Sequence, residues 1–333
     1  MKNIPSQVLV NKASLTAKRF SDTFGHNKNK SGDEYMEFLT KENADNIDLI
    51  REILTQGGLT DIRNITRLQS GSRSFGYYAD DYIVRFPKAE IIWQTMQREK
   101  MIIDTVYSCL MPYFEGKIHK IELIDGKYPF SLSERFYGKI CDGRPESEYA
   151  VLYQNLTTGQ QAKLAQDIAM FFHLMHRIDY KSLNIPDSNE AIDNWDVTLR
   201  ADFDFAAVRQ ALLPCGIDLS DYKVTLPNTE QALCHNDLSG SNILLNDKQD
   251  DILTGIIDFG NVIVMPKYQD FFPLYKIHRQ LAIDSLKEYN KLTTAKIEQA
   301  QTDYMALAYI GYGLYKTKDY SSPYFMKLLK PFL

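Results

Sequence analysis

Two short stretches hold the residue types from which a metal-assisted group transfer can be built. They are Leu233-Cys234-His235-Asn236-Asp237-Leu238-Ser239-Gly240-Ser241-Asn242-Ile243-Leu244-Leu245 and Gly255-Ile256-Ile257-Asp258-Phe259-Gly260. Ile243 to Leu245 and Ile252 to Ile257 are apolar runs joined by the polar turn Asn246 to Asp251, the pattern of a β-hairpin. Such a hairpin brings Asn242, at its entrance, close to Asp258, at its exit. An amide oxygen and a carboxylate at neighbouring strand ends suit a hard divalent cation such as magnesium. Asp237 lies on the loop leading into the hairpin and can face the same space without being a metal ligand. There its carboxylate can orient a hydroxyl and take its proton as attack proceeds. His235 is expected to brace the loop through hydrogen bonds. A surface loop followed by an ordinary buried hairpin would explain the same residues without chemistry. The H-x-D-x4-N spacing followed in order by D-F-G favours a site, since both elements in this order are improbable by chance and suit phosphoryl transfer.

Upstream, phosphate-holding parts are needed, and the order of elements supplies candidates. The segment Ser70-Gly71-Ser72-Arg73-Ser74-Phe75-Gly76 lies between two strand-like runs. As a loop it can fold over phosphates, with Ser70, Gly71, Ser72, Ser74 and Gly76 letting backbone N–H groups approach the oxygens. Gly71 and Gly76 do not have the GxGxxG spacing of protein kinases, and a plain hairpin turn would serve the pattern equally. Arg85, in Tyr82-Ile83-Val84-Arg85-Phe86-Pro87, stands where a phosphate-pairing cation is expected; otherwise it is a solvent-facing strand residue. Glu99, in Gln97-Arg98-Glu99-Lys100, is the carboxylate that would orient it. Alternatively Glu99 belongs to a solvated helix face, and Lys88 or Lys100 contacts phosphate.

These residues need elements to hold them. Ile47, Ile50, Ile53 and Leu54 predict a helix over 45–55, stopped at Gly57-Gly58. Short strands follow from 62 to 87, with Asp80-Asp81 as a turn. Residues 90–108 return to helical period, 118–136 look extended around an Asp125-Gly126 turn, and 160–178 carries a broad apolar face of Leu164, Ile168, Phe171, Phe172 and Met175. Strand signals thin out after 138–146. The expected division is an N-terminal extension over 1–44, a lobe over 45–138 and a second lobe over 139–333. Residues 21–34 are polar and aperiodic, as in a tethering loop. His173 and His176, three apart, lack an HExxH-type partner, so packing or helix-end capping is expected of them.

The 333 residues contain 38 Lys+Arg and 43 Asp+Glu, a net charge of −5, with 44% hydrophobic residues. That is globular composition with no general attraction for nucleic acid or anionic lipid, and no nucleic-acid or membrane partner is expected. Cys109, Cys141, Cys215 and Cys234 form no CxxC pair and read as free thiols in a reducing compartment. Nothing reaches the ~18 apolar residues of a membrane span. The N-terminus lacks a signal-peptide core, and the expected location is the cytoplasm.

At HNDLSGSN and GIIDFGN the chain resembles the aminoglycoside phosphotransferase and choline kinase-like family of small-molecule kinases. Its catalytic end is most similar to the aminoglycoside 2''-phosphotransferases. The REK helix and the YIVRFP strand support the likeness, which spans roughly 45 to 300. It implies an α+β, two-lobed, protein-kinase-like fold, with an antiparallel sheet and helix in the N-lobe and a mainly helical C-lobe. It implies ATP or GTP as co-substrate with Mg2+, and a small-molecule hydroxyl acceptor, an aminoglycoside-like cation being the favoured one. In that likeness Asp237 is the catalytic base, Asn242 and Asp258 are the magnesium ligands, and Glu99 pairs with the phosphate-binding cation. Segment 133–138, with Glu134 and Phe136, is the linker that meets the purine, and Asp270 is an acidic position with a structural role. Asp187, Glu190, Asp193 and Asp196 are available to a cationic acceptor, or form a solvated acidic loop. Ser239 in place of a lysine, and no APE after DFG, argue against a protein kinase. A metabolic kinase of an amino alcohol or sugar, and a pseudokinase or binding module, are the alternatives; the sequence leaves the oligomeric state open.

Overall fold

The structure, a computed structural model, describes residues 36–68, 73–141, 151–181, 205–222 and 231–333. The chain forms two compact units that are discontinuous in sequence. The first runs to Gln97 and takes in Ile121–Arg135; the second comprises Arg98–Lys120 and Phe136–Leu333.

The first unit is built on an antiparallel sheet of β1 (Ile65–Arg67), β2 (Ser74–Ala79), β3 (Tyr82–Pro87), β4 (Ile121–Ile124) and β5 (Phe130–Glu134), in the order β1-β2-β3-β5-β4. β3 is central because its Val84 and Phe86 are buried and both its edges are paired. The β2–β3 turn places Asp80 at φ +49, a region that Asp tolerates better than most residues. Its carboxylate accepts from Arg63 N at 2.8 Å and Asn64 N at 2.9 Å, and these bonds hold its pKa below the ordinary range. Helices α1 (Lys41–Asp45) and α2 (Ile47–Gln56) cover the sheet with Ala44, Ile50 and Leu54. The helix expected from 45 thus starts earlier and is interrupted. Asn46 ends α1, and its side chain caps α2 by accepting from Leu49 N at 3.1 Å. The first of the short strands expected from 62 onward is limited to β1, Ile65–Arg67.

Helix α3 (Glu90–Phe114) passes from the first unit into the second. It outruns the expected end at 108 because Ile103, Val106, Leu110 and Phe114 keep a buried face at helical spacing. In the second unit, α4 (Thr158–Met175) opens on a Thr157/Gln160 capping box and buries Leu164, Ile168, Phe171, Phe172 and Met175, as expected. After it come α5 (Phe205–Leu212), α6 (Phe272–Tyr275), α7 (Arg279–Leu292), α8 (Gln299–Thr317) and α9 (Pro323–Leu329). Gly311 lets α8 approach α5, since a Cβ there would lie 2.8 Å from side-chain atoms of Leu212 and Val208. Two small antiparallel sheets complete the unit. One pairs β7 (Gln231–Cys234) with β10 (Ile263–Pro266); the other orders β6 (Lys139–Ile140), β8 (Ile243–Leu245) and β9 (Leu253–Ile256) as β6-β8-β9. β8 and β9 are the expected hairpin. Among the described residues no helix is long and apolar enough to cross a membrane.

Candidate active site

β7 and β10 lie side by side with Cys234 opposite Ile263. Beyond that last pair the chain enters a loop in which the polar residues His235, Asn236 and Asn242 are buried. Asn236 stands at φ +65, which costs a branched or bulky residue dearly and Asn little. The loop is anchored from below by Asp270, which is fully buried. Its Oδ1 accepts from Asn236 N at 2.7 Å and its Oδ2 from His235 N at 3.1 Å. His176 Nε2 donates to the same Oδ2 at 3.0 Å, while Nδ1 takes the Tyr289 hydroxyl at 2.8 Å, so the carboxylate fixes the histidine tautomer. His176 is also the residue that ends α4, which joins the packing and capping roles expected of it. Cys234 Sγ, 3.7 Å from His176 Nε2, donates to Met265 O at 3.5 Å. Burial first, and the Asp270 charge second, push its thiol pKa up. The His176, Cys234 and Asp270 ligand atoms lie within 4.8 Å of one another, but the carboxylate and imidazole are already spent on hydrogen bonds, which makes the group a brace.

His235 braces the upper side of the loop. Its Nε2 donates to Ile257 O at 3.3 Å, and its Nδ1 accepts from Asp237 N at 3.4 Å. Phe259 meets its ring edge to face, with centroids 5.0 Å apart. Asp237 is therefore fixed through its backbone before its side chain is considered. Its carbonyl accepts from Asn242 Nδ2 at 2.8 Å, and its Oδ2 accepts from Asn242 Nδ2 and Asn261 Nδ2, each at 3.2 Å. Asn242 itself is buried in the turn Gly240–Asn242. Ile257 N donates to Asn242 O at 3.1 Å, tying the hairpin's two ends together, so Asp258 follows directly beside Asn242 as the spacing predicts. Asp258 is exposed at φ +64. With the Asn242 amide nitrogen turned to Asp237, its Oδ1 is the atom it offers to a cation. An amide oxygen and an exposed carboxylate are hard oxygen ligands of the kind that fit Mg2+.

Arg98 secures the strand after this segment by donating to Val262 O at 2.5 Å, and burial lowers its pKa. Neither Asn261 nor Arg98 carries a role in the sequence pattern, although the Gly260-Asn261 pair beside D-F-G marks a turn. The buried anchor at Asp270 matches the structural role expected for it.

The remaining expected residues are placed as follows. Ser70, Gly71 and Ser72 lie outside the described residues, as do Asp187, Glu190, Asp193, Asp196 and the tethering loop. Ser74 and Gly76 are not in a loop: they belong to β2, opposite Pro87 and Arg85. Phe75 and Tyr77 are buried and draw the segment into the sheet, and Gly76 admits Leu68, whose Cδ1 would lie 3.1 Å from a Cβ there. Arg85 is half-buried in β3 with Nε donating to Ser131 Oγ at 3.2 Å. Lys88 Nζ sits over the Phe75 ring, and Lys100 pairs with Asp104 at 2.7 Å. Glu99 is buried in α3, not part of a solvated face. Glu134 ends β5, exposed. Phe136 stacks on His119 and lies on Gly255, where a Cβ would come 2.9 Å from the Phe136 ring.

A family model described as the phosphotransferase enzyme family matches residues 64–294. Among solved structures, the GDP complex of wild-type aminoglycoside 2'-phosphotransferase-IIIa is similar with a TM-score of 0.62 at 18% identity, over 86% of this chain and 98% of that one. The streptomycin–ATP–APH(2")-IIa ternary complex gives 0.53 at 18% identity, over 89% and 96%. Macrolide 2'-phosphotransferase MphH from Brachybacterium faecium gives 0.53 at 14% identity, over 85% and 98%. The likeness to these structures is one of fold.

Proposed function

The chain belongs to the phosphotransferase enzyme family, and from that premise we propose that it transfers the γ-phosphoryl group of ATP or GTP to a hydroxyl of an aminoglycoside antibiotic. The observation that carries the reading is the Asp237 carboxylate held by the Asn242 amide, with Asn242 tied to the hairpin end that carries Asp258. Proteins of this fold have been captured with GDP and kanamycin, and with streptomycin and ATP, which supports the substrate class.

Asp237 orients the acceptor hydroxyl and takes its proton as the oxygen–phosphorus bond forms and the bond from the γ-phosphorus to the bridging oxygen breaks, releasing the nucleoside diphosphate. Asn242 Oδ1 and the Asp258 carboxylate hold Mg2+, which when bound offsets charge on the phosphate oxygens. Arg85, with Ser74 and Gly76 on the neighbouring strand β2, is assigned to the phosphates. Glu134 and Phe136 belong to the segment that meets the purine. A cationic acceptor is recognised by acidic side chains, for which the 187–196 segment is available.

Asp237→Asn keeps size and hydrogen bonding but removes the base. Turnover, read as nucleoside diphosphate release over a panel of aminoglycosides, choline, homoserine and sugars, should fall by about 10²- to 10⁴-fold. Unchanged turnover overturns the assignment. Cells expressing the parent should survive an aminoglycoside that kills cells expressing Asp237→Asn. Turnover with an amino alcohol or sugar and no protection against any aminoglycoside replaces the antibiotic reading with a metabolic kinase.

A further inference from the structure

A carboxylate that accepts a proton must present one oxygen in a fixed direction, and the torsion that turns a carboxylate is soft and two-fold. Something must hold it. Two side-chain amides do so at Asp237 Oδ2: Asn242 Nδ2 and Asn261 Nδ2, both at 3.2 Å. Asn242 has other duties, because its Nδ2 also serves the Asp237 carbonyl at 2.8 Å and its Oδ1 is the atom proposed to face the metal. Its orientation therefore follows the loop and the cation. Asn261 comes from a separate element and is set by other means.

The register explains how Asn261 arrives there. β7 and β10 are antiparallel with Cys234 opposite Ile263, so the residues just after β7 and just before β10 emerge at the same end of the ladder. Asp237 and Asn261 are both there. Asn261 closes the turn Phe259–Asn261, where Val262 N donates to Phe259 O at 3.2 Å, and Arg98 holds the next carbonyl, Val262 O, at 2.5 Å. The donor is thus braced on both sides. It is also a neutral amide, so it steers the carboxylate by a hydrogen bond and not by opposite charge.

We propose that Asn261 is a positioning residue for Asp237, fixing the orientation of the carboxylate independently of the metal-facing Asn242. The proposal rests on the phosphoryl-transfer reading of Asp237, and its test separates the two. Asn261→Asp is isosteric and replaces the donor by an acceptor; Asn261→Ala removes it. With Mg2+, nucleotide and the best acceptor of the panel, both should lower kcat by about 10- to 100-fold, the cost of a misplaced reacting group. Nucleotide KM and the thermal midpoint should stay close to the parent's. Asn261→Gln, which keeps an amide donor, should recover part of the loss. Asp237→Asn combined with Asn261→Ala should be no slower than Asp237→Asn alone, because a positioning residue has nothing left to position. A kcat within twofold of the parent in Asn261→Ala, or losses that multiply in the double variant, overturns the proposal. The contact is also read without turnover, from the Asn261 side-chain amide resonances of the ¹⁵N-labelled chain. They should move on Asp237→Ala, and unmoved resonances overturn the proposal even if no acceptor is found. A parent that consumes no nucleotide with any acceptor, while those resonances do move, defeats the phosphoryl-transfer reading and leaves the contact standing.

Discussion

Arg85 and Asp237 are each fixed in place, but by different physics. Arg85 is set by strand register. β3 pairs on both sides, Val84 and Phe86 point into the core, and alternation leaves Arg85 on the other face, with Ser131 directly opposite on β5. Asp237 is on no strand. It is set by side-chain hydrogen bonds to a loop whose own backbone hangs from a buried carboxylate, Asp270. A register is held by many equivalent bonds and an apolar core, so no single side chain decides it. A buried polar network is decided by its hub, since each orphaned group in a low-dielectric interior carries its full desolvation cost.

The hub is where the contrast breaks most visibly. Asp270→Asn leaves one acceptor oxygen and turns an NH2 group either toward Asn236 N–H or toward both His235 N–H and His176 Nε2–H, opposing donor to donor. We expect a loss of about 3 kcal/mol, the cost of removing a charge-assisted acceptor from buried partners, measured by urea unfolding, and a fall in turnover. A loss below about 1 kcal/mol would show that the loop is held by its other bonds, as a strand would be.

The same contrast explains what could be read from the sequence. The hairpin, the sheet strands and α4 announce themselves by local period, and H-x-D-x4-N with D-F-G fixes Asp237, Asn242 and Asp258 relative to one another because few residues separate them. The partners of Asp237 are less legible. Asn261 reaches it only through the β7–β10 register, and Asp270, His176 and Tyr289 meet across segments far apart in the chain. Ser74 and Gly76 looked like loop because small residues dominate the segment, yet Phe75 and Tyr77 gain more from core burial than small residues lose in a strand. Asn46 is a helix breaker only because its side chain finds Leu49 N, a cap inside an otherwise continuous apolar period. The discontinuous makeup of the two units, with Arg98–Lys120 in the second, has no local signature at all.

Acid should separate the two regions further. His119, His173, His176, His235 and His278 all lie in the second unit, and the described part of the first contains none. Burial lowers the pKa of His173, with Arg177 adding to it, and burial with Lys327 lowers that of His278. Each therefore has a folded-state pKa below the ~6.5 of the unfolded chain. Their stabilising contribution is present above about pH 6.5 and is lost as pH falls below it, because the unfolded chain then holds protons that the folded chain does not. His278 also caps α7, accepting from Gln280 N at 3.2 Å through Nδ1, an acceptor that protonation abolishes at a cost of about 1 kcal/mol. Hydrogen exchange between pH 7.5 and 5 should show α4 and α7 losing protection before β2 and β3, and His278→Asn should narrow that gap. Loss of protection in the sheet first would refute the assignment.

The smallest expected effect is the one that tests the strand side of the contrast. Ser131 is buried and its hydroxyl takes the Arg85 Nε proton at 3.2 Å, which on a contact diagram makes it as important to Arg85 as Asn242 is to Asp237. Strand physics says otherwise. Removing the hydroxyl leaves every backbone bond of the β3–β5 ladder intact, from Tyr82 opposite Glu134 to Arg85 opposite Ser131, and Arg85 remains only half-buried, so water can replace the lost acceptor. Ser131→Ala should therefore cost about 0.5 kcal/mol, the low end for a hydrogen bond, in the same urea titration. Its turnover should stay within about twofold of the parent, a change worth less than 0.5 kcal/mol at roughly 1.4 kcal/mol per factor of ten. A cost near that of Asp270→Asn would mean that Arg85, too, is held by a polar hub, and that register does not by itself place a charge on this sheet.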